Sequence, residues 1–68
     1  MKFRKLRGKM AENGITQKAL AEALGITQVA LGDKLNGRRE FKLREVRTVC
    51  IVLGISLGDI AFYFDIDS

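Results

Sequence analysis

The chain has no histidine, no tryptophan and no proline, and only one cysteine. Without histidine there is no imidazole base and no His-dependent nucleophile, and the commonest transition-metal ligand is missing. A single cysteine excludes an intrachain disulfide. Cys50 lies in an apolar segment and reads as a buried structural thiol in a reducing compartment rather than a reactive group. The lack of proline and the few aromatics favour short helices over a turn-rich β fold. Long hydrophobic runs are missing too. The longest uncharged stretch, Thr48 to Gly58, falls short of the ~20 residues needed to cross a bilayer. After the basic start, Leu6-Arg7-Gly8-Lys9-Met10 interrupts any signal-peptide core. A soluble intracellular protein is expected.

Basic residues are absent from the end of the chain. Beyond Arg47 the only charges are Asp59, Asp65 and Asp67, whereas Lys2, Arg4, Lys5, Arg7, Lys9 and Lys18 lie in the first third. Lys34, Arg38, Arg39, Lys42, Arg44 and Arg47 occupy the middle, and the net charge is +4. Such polarity fits a polyanion docked on the basic part, although a solvated surface of uneven charge fits it equally. At 68 residues the chain makes one domain, near the lower limit for an independent core.

A short phrase recurs: Gly14-Ile15-Thr16, Gly25-Ile26-Thr27 and Gly54-Ile55-Ser56. Glycine tolerates the left-handed conformation just past a helix, and the Thr or Ser hydroxyl can accept a first-turn N–H of the next helix. The Ile between them can staple onto Leu20, Leu31 or Ile60. Asp59, three after Ser56, would favour the positive end of the helix dipole. These stops and starts predict five helices. Helix 1 runs from about Lys2 to Asn13 with Phe3, Leu6 and Met10 inward. Helix 2 covers Gln17 to Leu24, with Leu20 and Leu24 inward and Ala19, Ala21 and Ala23 allowing close approach. Helix 3 runs from Gln28 to about Asn36. Helix 4 spans Leu43 to Leu53 with Leu43, Val46, Val49, Cys50 and Leu53 inward. Helix 5 runs from Leu57 to about Tyr63, followed by a tail at 64–68. Only Gly25-Ile26-Thr27 separates helices 2 and 3, so residues 17–36 form a sharply turned helix-turn-helix.

Projecting helix 3 at about 100° per residue separates two faces. Leu31 and Leu35 point into a core. Val29, Asp33 and Asn36 point outward, flanked by Gln28 and Gly32. An amide, a small apolar group, a glycine and a carboxylate suit the floor of a DNA major groove better than a salt-bridged solvent face. Gln28 can offer a bidentate amide to adenine, and Val29 can pack on a thymine methyl. Asp33 could accept from cytosine N4 or serve a nearby cation. Gly32 lowers helix stability by roughly 1 kcal/mol relative to alanine, which either close backbone approach to DNA or simple tolerance accounts for. Helix 4 starts at Lys42, which has no side-chain acceptor, so Lys42-Leu43-Arg44-Glu45 offers open, cationic N–H donors to water or to a phosphate.

Thr16-Gln17, Leu20-Ala21, Leu24-Gly25-Ile26-Thr27-Gln28, Leu31 and Asn36-Gly37-Arg38-Arg39 together resemble the helix-turn-helix domain of phage repressors and Cro-type regulators. Phe41-Lys42-Leu43-Arg44-Glu45-Val46 and Leu53-Gly54-Ile55-Ser56-Leu57 extend the resemblance over roughly 6–62. It implies a compact, all-α, five-helix repressor-like domain that binds double-stranded DNA as a small phage-type transcriptional regulator in a bacterial or phage-infected cytoplasm. Base readout would fall to Gln28, Val29, Asp33 and Gly32. Phosphate contacts would come from Gln17, Lys18, Asn36, Arg38, Arg39, Lys42 and Arg44, with Gln17 bracing either a phosphate or Gln28. Two departures stand out. Many relatives carry an apolar residue at the position of Lys34, where this chain places its second anchor one step later at Leu35. Lys42 stands where Ser or Thr is usual.

The apolar segment Ile60-Ala61-Phe62-Tyr63-Phe64-Asp65-Ile66 is either buried by helices 1, 4 and 5 or forms a homodimer contact on a two-fold operator, with Ile51, Val52, Phe62, Tyr63 and Phe64 as its residues. An alternative function is a protein-interaction module, an antirepressor or adaptor built on the same scaffold. No cofactor, metal, membrane or small-molecule ligand is expected. No paired nucleophile and base, carboxylate pair or phosphate-binding glycine loop supports an enzyme.

Overall fold

Leu6, Leu20, Leu31, Leu35, Val49 and Leu53 are almost wholly buried, and the helices are arranged around them. The structure, a computed structural model, describes residues 2–64; Asp65, Ile66, Asp67 and Ser68, and with them most of the tail, lie outside the described residues. The helices are α1 (Arg4–Glu12), α2 (Gln17–Leu24), α3 (Gln28–Leu35) and α4 (Leu43–Leu53). A 3-10 turn (Leu57–Asp59) leads into a single-turn α5 (Ile60–Tyr63). Helix α2 packs on both α3 and α4, and α1 packs on α5. Among the described residues no single helix is long and apolar enough to cross a membrane.

The local signals explain most of the boundaries. Thr16 and Thr27 each accept an N–H from the third residue onward, Ala19 and Ala30, at 3.0 Å. Gly14, Gly25 and Gly54 all have positive φ. The Ile after each donates back across the helix end, to Met10, Ala21 and Cys50 carbonyls at 2.9, 3.0 and 2.9 Å. Gly37 and Arg38 close α3 in the same way onto Lys34 and Asp33. These bonds satisfy carbonyls that the helix itself leaves open.

Several expectations are corrected. Helix α1 begins at Arg4, because Phe3 is in the left-handed region with φ 56 and breaks the helix before it. Ser56 does not cap: it makes no side-chain bond to a first-turn N–H, and its hydroxyl donates to Asp59 Oδ2 at 3.1 Å. Consequently the third repeat opens a 3-10 turn rather than a regular helix. Leu43 is 77% exposed rather than inward, since it occupies the first position of α4, which no neighbouring element covers. Ala19 and Ala23 are exposed, and only Ala21 on that helix joins Leu20 in the core.

Phe3, Phe41 and Phe64 form an edge-to-face cluster with ring centroids 5.4 to 6.3 Å apart. It ties the start of the chain, the α3–α4 loop and the end of α5 together. Phe64 is buried, so it serves this internal cluster and is not available as the surface dimer contact expected of it. Cys50 is buried and free, and burial pushes its thiol pKa above the ordinary 9.0.

Candidate nucleic-acid interface

Thr27 fixes where α3 starts, and this places Gln28 and Val29 in its first turn. Leu31 and Leu35 are fully buried, which orients the helix and leaves Gln28, Val29 and Asn36 exposed. Val29 is 76% exposed, a bare apolar side chain beside the exposed Gln28. Gly32 and Asp33 are half-buried on the same helix. A Cβ built on Gly32 would meet nothing within 4 Å, so no packing inside the protein requires glycine there.

Asp33 has a local partner. Its Oδ1 lies 3.8 Å from Arg38 Nη1, a loose pair, and the Arg38 side chain remains 75% exposed. Asn36 also has a partner, since its Oδ1 accepts from Arg7 Nη2 of α1 at 2.9 Å. That contact leaves the amide N–H2 of Asn36 facing away from Arg7 as a donor. Gln17 is half-buried, and among the described residues no hydrogen bond joins it to Gln28. Lys18, Arg38, Arg39, Lys42 and Arg44 are all exposed.

At the start of α4 the open-donor expectation is half right. Lys42 contributes no side-chain cap, but Glu45 Oε1 accepts the Lys42 backbone N–H at 2.9 Å. The carboxylate therefore offsets part of the positive charge expected there. A shallow groove runs between this helix start and the α2–α3 turn, with Gly25 and Ile26 on one side and Lys42, Arg44 and Glu45 on the other. The turn that feeds α3 and the basic start of α4 are thus neighbours.

Sequence reasoning missed what Glu45 does next. The same Oε1 lies 2.9 Å from Lys34 Nζ, and both side chains are only 7% exposed. Lys34 Nζ also donates to the Glu40 carbonyl at 3.1 Å. Burial pushes the Glu45 pKa up, but the Lys42 N–H and the Lys34 ammonium outweigh it and hold the carboxyl below its ordinary 4.5. A signal was available in the chain. Lys34 sits three after Leu31, on the neighbouring position of the buried face.

Among the described residues no cluster of His, Cys, Asp or Glu is arranged to hold a metal ion. A family model for the Cro/C1-type HTH DNA-binding domain matches residues 5–65. Neither the curated proteins nor the solved structures include a significant match.

Proposed function

The chain belongs to the Cro/C1-type helix-turn-helix DNA-binding family, and from that premise we propose that it is a sequence-specific regulator of phage type that reads the major groove with α3. The observation that carries this reading is the first turn of α3, where an exposed Gln28 and a 76% exposed Val29 sit side by side. Gln28 would bind adenine N6 and N7, and Val29 would cover a thymine methyl. Asp33, leaning toward Arg38, acts more as that arginine's partner than as a reader. Gln17, Lys18, Asn36, Arg38, Arg39, Lys42 and Arg44 would supply phosphate contacts, which give affinity and register without sequence information.

The long axis of the fold is 29 Å, shorter than the ~34 Å between half-sites one helical turn apart. The chain carries one α3, so reading both halves of a two-fold operator would take two copies. Exposed Ile51 and Leu57, 81% and 77% accessible, flank one shallow groove between α4 and the start of the 3-10 turn and provide apolar surface for that pairing. Phe62, 55% exposed, and the half-buried Val52 and Tyr63 remain candidates beside it. The reading implies action in a bacterial cytoplasm.

Selection of bound sequences from random duplex DNA, followed by footprinting and a salt titration, tests this. An enriched motif is expected, with a log–log salt slope near −4 to −5 per subunit if about five phosphates are neutralised. No enriched motif and a flat salt response would instead favour a protein-interaction module on the same scaffold.

A further inference from the structure

Between α3 and α4 the chain runs through Asn36-Gly37-Arg38-Arg39-Glu40-Phe41-Lys42, and the cations of that loop stand exposed. Its first half is tied to α3 by backbone bonds, Gly37 N–H to the Lys34 carbonyl at 3.1 Å and both Arg38 N–H and Arg39 N–H to the Asp33 carbonyl at 2.8 and 3.3 Å. No such backbone bond ties Glu40 or Lys42 to α3 among the described residues. In that second half Phe41 packs in the aromatic cluster, which faces α1 and α5, and two buried side chains make the polar link to α3 and α4. Lys34, on the last turn of α3, takes the Glu40 carbonyl, and Glu45, on the first turn of α4, takes the Lys42 N–H and the Lys34 ammonium.

A buried ion pair is a poor way to stabilise a small core. Replacing such a pair with apolar side chains of similar volume is commonly neutral or stabilising. Stability alone therefore does not account for a lysine and a glutamate here. The geometry does give the pair a distinct effect: it locks the last turn of α3, the helix whose first turn bears Gln28 and Val29, to the segment bearing Lys42 and Arg44. We propose that Lys34 and Glu45 are positioning residues for DNA binding, a strut that keeps the base-reading helix and the phosphate-facing loop in one register. This rests on the DNA-reading function proposed above. Neither side chain touches DNA, and both act through the backbone of Glu40 and Lys42.

The test uses the parent protein and a Lys34→Met/Glu45→Met double variant, titrated with the same selected duplex over a range of salt. The double variant removes both charges together and leaves no unpaired ion buried. It is expected to fold with a thermal midpoint close to the parent's, yet to bind at least tenfold more weakly. Its log–log salt slope should be shallower by about 1 to 2, because each phosphate contact contributes about 0.9. A purely structural pair would leave the slope unchanged.

A second comparison does not depend on the core. Lys42 has φ −76, compatible with proline, so Lys42→Pro removes the tethering N–H and Lys42→Ala removes only the side chain. Binding several-fold weaker for Lys42→Pro than for Lys42→Ala supports the strut. Equal binding of these two, or a folded double variant with parental affinity and slope, overturns it. If the parent itself shows no salt-dependent binding, the DNA-reading function fails and the strut falls with it.

Discussion

Gly32 occupies the middle of α3 although an alanine Cβ there would meet no neighbour. Gly32→Ala should therefore raise stability by about 1 kcal/mol through helix propensity, seen as a rise of roughly 4–8 °C in thermal midpoint for a domain of this size. If the α3 backbone approaches a base pair closely, the same variant binds operator more weakly. Parental binding by the stabilised variant would mark the glycine as merely tolerated. Gln28→Ala and Val29→Ala make the converse case. Both side chains are exposed, so their loss should leave the melting temperature within a degree or two, while each reduces operator affinity by about 1–3 kcal/mol at one base position. Uniform loss over all sequences would assign them to the phosphate backbone instead.

At the scale of the helix, caps separate what was legible from what was not. Thr16, Thr27 and Ser56 look equivalent in the sequence, but only the two threonines accept a first-turn N–H. Thr27→Ala is expected to destabilise by about 1 kcal/mol, and Ser56→Ala by a few tenths at most. Chemical denaturation of the two variants checks the contrast. The boundaries of α2 and α4 could be read directly because their signals lie within a few residues of each end. The Lys34–Glu45 pair could be read only in part: the spacing from Leu31 puts Lys34 beside the buried face of α3, but its partner lies across a loop on another helix, where no local signal points to it. Leu43 misled for a related reason: helical periodicity assigns it a direction but not a neighbour to face.

The same pair has a pH signature. The Glu45 carboxyl is held below its ordinary 4.5 in the folded protein. Its contribution is therefore fully present above that value and is lost as pH falls through the lowered folded pKa. Stability of the parent should fall on acidification in that window, and Glu45→Gln should show a flatter slope even if its stability at neutral pH is lower. Equal pH dependence of the two proteins in denaturant titrations carried out below pH 4.5 would remove Glu45 from the acid response.

For the whole molecule, Phe64 matters more than its place near the chain end implies. It closes the aromatic cluster with Phe3 and Phe41. A Phe→Ala change in a core costs about 3–5 kcal/mol, against a total of roughly 3–10 kcal/mol for a chain of this length at 0.05–0.15 kcal/mol per residue. Phe64→Ala should therefore unfold a large fraction of the protein at 37 °C, as circular dichroism would show. Removing exposed Ile51 and Leu57 together should leave the monomer folded and weaken self-association on DNA. Sedimentation that shows a monomer for the parent on operator DNA would instead remove the pairing surface. The basic surface was legible as a charge gradient along the chain. Which apolar residues of the C-terminal segment turn inward was not, because that depends on how α1 and the α3–α4 loop meet it.

The helix stops have a kinetic consequence. Each of α1, α2, α3 and α4 is closed by a glycine-centred turn whose bonds span six residues or fewer. Such punctuation is available to the chain before any distant segments have met. A protein whose elements end by their own local bonds has few slow loop closures to make, and helical domains of low contact order fold in microseconds to milliseconds. Rapid-mixing or temperature-jump experiments should accordingly find a single fast phase. With no proline in the chain, no slow isomerisation phase should follow it.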